Sequence, residues 1–376
     1  NKKSSRHSLA LFVALALGNG TLLAPSAAGA ADVSGQNVEI DDTHAPSDNA
    51  EHPGGGAAFG TAAGFIKDEH DNGNVKDNTL TFKNLSYNKY LYGGLTFGTG
   101  NVTGNKVFVN PATSSHHSIP DGIFGGAAHG GGNVEDNHAT FDGNQLNGKL
   151  VGGMAEGGGT GTVKKNTATL KGGNVNGSIY GGYTDGTGKV TGNTAKVTGG
   201  SAQDVYGGHS QSGDTEGNSV EISGGTARAV YGGDSGGTGK ATGNTVTLTG
   251  GTLSSDIFGG VAASGDAVNN TVNIKGGSAA GHDVYGGFST NGNATGNTVN
   301  ITGGSVRNVD GGRSLSGNAT GNFVNIGSEN APFGGSITGI INGGSGTTSG
   351  NDYRTGNTLN VYGNATASNI RNFAEI

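Results

Sequence analysis

The sequence predicts an all-β solenoid, a right-handed parallel β-helix of about ten to eleven coils, and three observations lead there. The first is composition: 79 of 376 residues are glycine, there is no Cys and no Trp, and only 6% are aromatic. A conventional compact core is thereby excluded, and unstructured low-complexity sequence would follow if the glycines had no period. The second is that they do have one. Pairs of glycines follow an apolar and an aromatic residue in "LYGG", "IFGG", "IYGG" and "VYGG", and successive first glycines from Gly93 to Gly343 lie 25 to 32 residues apart. The third is an asparagine once per unit, Asn78, Asn105, Asn137, Asn166, Asn193, Asn218, Asn244, Asn270, Asn297, Asn322 and Asn357, that opens a short alternating run such as "NTVTLTGG".

In chain order, residues 1–30 read as a signal peptide. Lys2, Lys3 and Arg6 precede an apolar run from Leu9 to Leu17, and Ala28-Gly29-Ala30 supplies a small-residue cleavage site before Ala31. The run is about half of the roughly 20 residues that span a bilayer, and no later stretch is more apolar, so no transmembrane segment is expected in the mature chain. Residues 31–55 read as an acidic leader or cap. Between 32 and 77 ten acids face only Lys67 and Lys76, while the rest of the chain is nearly neutral. Neither part offers a basic patch, which argues against nucleic acid and anionic lipid as partners.

Residues 56–365 form the repeat array. Alternation over five residues means a strand with Asn244, Val246 and Leu248 on one face and threonines on the other, and the other units repeat the pattern. A second strand should end at the Val or Ile before each aromatic-Gly-Gly, and "KATGN" and "NATGN" suggest a third, with glycine at the bends. One such unit buries too few apolar side chains to offset its backbone entropy, so units must stack. Stacking also explains an inward asparagine, because its amide can bond the next coil. A six-residue beat, the mark of the left-handed hexapeptide helix, is missing. Residues 366–376 read as a truncated continuation.

Several stretches invite chemistry. Gly233-Asp234-Ser235-Gly236-Gly237 resembles the nucleophile segment of trypsin-like proteases, but in register Asp234-Ser235 falls in a turn slot that other coils fill freely, and the solenoid leaves no place for the partners of Ser235. "SGGTGKAT" fails as a phosphate-binding loop because Ala241 stands where Ser or Thr is needed. Asp256 and Asp283 hold equivalent positions in adjacent coils, with Asp204 two coils from Asp256, a spacing that would suit paired glycosidase carboxylates or calcium. The alternative is that they are turn acids capping backbone NH groups, and no Lys or Arg shares their column. The histidines His116-His117, with His129 and His138, do not form a metal motif, and the nonapeptide of calcium-binding toxin repeats is missing. Thr245, Thr247 and Thr249 suggest an ice-binding array, which Lys171, Lys196, Glu221 and Lys275 interrupt. No cofactor is implied.

The most specific surface feature is an aromatic column, Tyr92, Phe124, Tyr180, Tyr206, Tyr231, Phe258 and Tyr285. Simple alternation points these rings outward, where Tyr180 to Tyr285 would contact a ligand such as a saccharide. A bend at the glycines would instead turn them inward as a structural ladder, which is the reading preferred here.

The signal peptide, the absence of cysteine and the tandem "GNTVTLTGG...VYGG" units resemble the passenger regions of bacterial autotransporters, the type V secretion proteins, over about residues 56–365. The resemblance implies Sec export from a diderm bacterium, passage through an outer-membrane β-barrel, and a rod at the cell surface or released outside, often adhesive. Possible partners are surface glycans or proteins. No ten-residue amphipathic strands follow residue 365, so the translocator barrel is not in this sequence. Two functions follow as expectations: a non-enzymatic adhesin-like rod or stalk, and as the alternative a β-helical polysaccharide lyase or glycoside hydrolase. Uniform short turns favour the rod, since catalytic clefts on such folds need elaborate loops.

Overall fold

The computed structural model describes residues 31–40, 49–50, 60–83, 87–110, 118–119 and 121–376. The signal-peptide segment, most of the acidic leader and His116-His117 lie outside these residues. Among the described residues all regular structure is β, and the strands form a parallel solenoid of about eleven turns. At about 4.8 Å per coil this makes a rod roughly 50 Å long.

A coil is built from four strands, and the one opening at Asn244 is representative. Thr245–Leu248 leads into a Gly-Gly turn, Thr252–Leu253 follows, then Ile257–Ala262 carrying the aromatic and its two glycines, then Ala267–Val268. The last kind of strand stacks into an eleven-stranded sheet and the aromatic kind into a twelve-stranded one. The asparagine strands and the short strands after them share the third sheet. Pairing is parallel and keeps equivalent residues opposite one another, so that Val230 faces Ile257, Tyr231 faces Phe258 and Val246 faces Val272. Like residues therefore meet in columns along the rod, and the repeat in the sequence becomes a ladder in space.

The sequence's inward positions are the core. Val246, Leu248, Val272 and Ile274 from the asparagine strands pack with Val230, Ile257 and Val284 from the aromatic strands in one apolar column that runs from Ile40 to Phe373. A turn residue fixes each asparagine. The residue just before it has positive φ in every coil: Gly104, Gly192, Gly217, Gly243, Gly296, Gly321 and Gly356 lie between 61° and 70°, and Asp77, Asp136, Lys165 and Asn269 fill the same slot between 54° and 57°. Glycine adopts this left-handed corner without a steric cost, which is why "GN" opens most coils.

The array begins earlier than the sequence reading places it. Val33–Ser34 and Asn37–Ile40 already pair in parallel with Val75–Lys76 and Thr79–Phe82. Gln36 takes the place of the asparagine there, its backbone NH donating to Asn78 Oδ1 at 2.9 Å, and Gly35 supplies the corner at φ 67°. Part of the supposed leader is thus the first coil. At the other end Asn369–Arg371 pairs with the strand Ile340–Gly346, and Phe373 is buried against the core, so residues of the segment read as a truncated continuation lie folded on the last coil.

Candidate functional site

Two columns of side chains give the rod its character, one inside and one outside. Inside, the eleven asparagines are all fully buried. Asn218 donates from its backbone NH and from Nδ2 to Asn244 Oδ1, both at 3.0 Å, and Asn244 repeats this towards Asn270. The amide of Asn244 also donates to the Thr215 carbonyl of the preceding coil at 3.1 Å. From Asn105 to Asn357 each side chain thus accepts twice and donates at least twice, which satisfies a group that would be costly if buried alone.

The Gly-Gly pairs belong to the same device. A Cβ placed on Gly233 would lie 2.4 Å from the Asn244 amide carbon, and one on Gly260 would lie 2.4 Å from that of Asn270. The first glycine is equally confined, since a Cβ on Gly207 would lie 2.4 Å from the Gly232 carbonyl oxygen. The two anchors of the repeat, distant within each unit of sequence, are therefore in contact, and the missing Cβ is what lets the amide lie against the aromatic strand.

Outside, the rings stack along the rod. Tyr180, Tyr206, Tyr231, Phe258 and Tyr285 follow at centroid spacings of 4.8, 4.6, 5.1 and 5.0 Å, with ring planes within 11° of parallel. They stand on the sheet face opposite the core, since each neighbouring Val or Ile is buried in that core while most of these rings remain half-buried. No bend turns them inward. The preferred expectation is corrected on this point: alternation persists to the aromatic residue, and the glycines come after it.

The stack uses its own π faces. Each inner ring is covered on both sides, Lys149 Nζ lies 5.7 Å from the ring centre of Tyr180 at one end, and Arg313 Cζ lies 5.8 Å from that of Tyr285 at the other. Cations over ring faces are favourable. What the column offers to solvent is therefore ring edges and hydroxyls rather than faces on which a sugar could stack. Burial in the stack pushes the Tyr180 and Tyr231 hydroxyls up to about 12 and raises those of Tyr206 and Tyr285 as well, so all four remain neutral and able to donate at neutral pH.

A second outward column runs beside the first. Tyr183 stacks on His209 at 5.5 Å, and His209 Nδ1 meets Asp234 Oδ2 at 2.9 Å. Ser235 does not join them. Asp234 and Ser235 lie in the strand Val230–Ser235 rather than in a turn slot, and Ser235 is buried on the inward side, its hydroxyl donating to the Gly213 carbonyl at 2.9 Å. Ser210, Ser289 and Ser314 make the same bond in their own coils, so the protease-like string places a strand-end hydroxyl rather than a nucleophile.

The acids are engaged with backbone. Asp256 Oδ1 accepts the Asp283 NH at 2.9 Å, Asp283 Oδ1 accepts the Asn308 NH at 3.3 Å, and Asp204 Oδ1 accepts the Ala229 NH at 3.2 Å. Arginines from outside that column reach them: Arg307 Nε donates to Asp283 Oδ1 at 2.8 Å, and Arg228 pairs with Asp204. Burial would raise the Asp283 carboxyl, but the bonds from Arg307 and Asn308 outweigh it and hold the group below the usual range. His129 stacks on Phe97 at 4.8 Å and faces Glu156 at 3.4 Å, while His138 lies 3.6 Å from Asp136. Among the described residues no group of three or more acidic or histidine side chains gathers to hold a metal ion, and no helix is long and apolar enough to cross a membrane.

The structure also contains a ladder that the sequence reading overlooked. Asn300 donates to Asn273 at 2.8 Å, Asn325 to Asn300 at 2.7 Å and Asn360 to Asn325 at 2.8 Å, all on the outer face of the asparagine strands. Its signal was the second asparagine in "TVNI", "TVNI", "FVNI" and "TLNV", present at one position in four successive coils. Comparisons with known protein families, with curated proteins and with solved structures find no match to this chain.

Proposed function

We propose that this chain is a non-enzymatic rod, an autotransporter-like passenger exported by the Sec pathway, delivered through an outer-membrane β-barrel of a diderm bacterium, and displayed at the cell surface or released as an adhesin-like stalk. The observation that carries the reading is that the rod's polar chemistry is committed to its own coils. The amides bond amides, the ring faces cover one another, and Asp204, Asp256 and Asp283 cap backbone NH groups. A hydrolase or lyase would need some of these carboxylates free beneath a cleft. An adhesive role would fall to ring edges, tyrosine hydroxyls and the surface asparagine ladder, which hydrogen-bond without needing a pocket.

The test is glycan and surface-protein binding by the purified chain beside a Tyr206→Ala/Tyr231→Ala/Tyr285→Ala variant checked by circular dichroism. Binding that disappears in a still-folded variant assigns adhesion to the outer column. Binding by neither, with the variant destabilised, leaves the segment as a stalk. Cleavage of a polysaccharide in the same assay would overturn the reading.

A further inference from the structure

The outer column ends abruptly. Where the register calls for a ring above Tyr285, the chain has Asp310, and the next coil has Asn342. Asp310 is only 3% exposed although it stands on the outer face of the sheet, and its Oδ1 is buried without a hydrogen-bond partner. Two neighbours are in the same condition. Arg313 Nε, three residues along the same strand, and Ser345 Oγ, opposite Arg313 in the next coil, are also buried and unpaired. Three orphaned polar atoms side by side contrast with the inner ladder, where every amide is satisfied. Such groups are rare in native structures and call for an explanation.

We propose that Asp310 is a proton-binding latch: with its carboxyl neutral the coils around Tyr285, Asp310 and Asn342 are closed, and ionisation of that carboxyl loosens the C-terminal coils from the rest of the rod.

A carboxylate can be buried at modest cost when neutral and at large cost when charged without a partner. The charged groups facing it do not offset that cost. Arg313 on its own strand is turned over the Tyr285 ring. From the preceding coil comes Asp283, a like charge, and Arg307 is already bonded to Asp283. The following coil presents Asn342 and Ser345, uncharged side chains that, together with the Arg313 charge, lower the carboxyl by less than burial raises it. Burial therefore pushes the Asp310 carboxyl up to about 6. Because the folded state holds this proton more tightly than the unfolded chain does, the stabilisation is complete below the unfolded value of 3.8 and is lost as pH rises towards 6. Above that no further loss from this group is expected.

The experiment is native-state hydrogen exchange on the whole chain, read in the strands Val309–Ser314 and Ile340–Gly346, with Thr167–Val175 as the internal reference. Between pH 4 and pH 7, after correction for intrinsic exchange, the opening equilibrium of the C-terminal strands should rise by about 100-fold relative to the reference, the ratio that a shift of roughly two pH units implies. Asp310→Asn, which keeps the shape and imitates Asn342, should flatten that profile. A direct titration of the Asp310 side-chain carbon by NMR in the unsubstituted chain covers the case in which the variant does not fold. A midpoint near 6 supports the latch. A midpoint near 4, or an unchanged profile in a folded Asp310→Asn variant, overturns it.

Discussion

The inner and outer ladders occupy the same rod and rise at the same step, yet one is unbroken and the other is not. Asparagine fills the inner position in every coil from Asn78 to Asn357. The outer column gives way to Val151 between Phe124 and Tyr180 and to Asp310 after Tyr285. The difference lies in what each position asks of a side chain. The inner site needs two acceptances and two donations in a space bounded by a Cβ-less glycine, and among the twenty side chains only Asn meets that demand with the right length. The outer site asks for something flat with one face towards each neighbour. Its rings from Tyr180 to Phe258 are half open to water, whereas Val151 and Asp310, which interrupt it, are buried, so this site accepts side chains of different chemistry where the inner one does not.

The comparison is broken most directly by Asn244→Leu. The change removes the acceptor of Asn218 NH and Nδ2 and the donors to Thr215 and Asn270, leaving buried polar atoms on both sides. A loss of about 3 to 5 kcal/mol is expected from unsatisfied groups of this kind. Urea unfolding measures it, and exchange protection should fall first in the coils flanking residue 244, because contacts in a solenoid are between nearest neighbours. A loss under about 1 kcal/mol would mean that leucine packing there compensates the amides.

The outer counterpart is Tyr231→Ala, which removes two ring contacts, at 4.6 Å to Tyr206 and 5.1 Å to Phe258. Because the site is half-buried and leaves no orphaned polar group, a smaller loss of about 1 to 2 kcal/mol is expected. If the two losses proved equal, the distinction between a demanding inner ladder and a tolerant outer one would collapse.

Much of this architecture was legible because the repeat states it many times. Alternation in "NTVTLTGG" placed Val246 and Leu248 in the core, and the tandem spacing required stacking. What escaped were features that cross from coil to coil out of register. Arg307 sits one residue before Asn308, the position equivalent to Asp283, and reaches back a coil to that carboxylate; Arg228 does the same to Asp204. A search down one column does not find such pairs. The first coil was missed because Gln36 replaces the asparagine and a long insertion separates it from Gly60–Ile66, which hides the period. The outward rings were misjudged because glycines after them permit a bend that the paired strands do not make.

The smallest effect concerns the corner that both ladders depend on. Ten of the eleven residues before the ladder asparagines are Gly, Asp or Asn, and Lys165 is the exception, at φ 56°. A long side chain there carries the left-handed conformation at a steric cost that glycine avoids. Lys165→Gly should therefore stabilise the rod by about 1 kcal/mol, an unusual sign for a glycine substitution. Two losses compete with it, the extra freedom that glycine gives the unfolded chain and the exposed pair with Glu135, 3.6 Å apart, and surface pairs of this type contribute little. The reciprocal Gly243→Lys isolates the backbone effect, since a Cβ at that glycine would meet nothing within 4 Å. Opposite shifts of similar size in the urea midpoints are expected. If both substitutions destabilised, the corner would be held by neighbours of residue 165 rather than by its φ, and the recurrence of glycine before asparagine would need a cause other than backbone geometry.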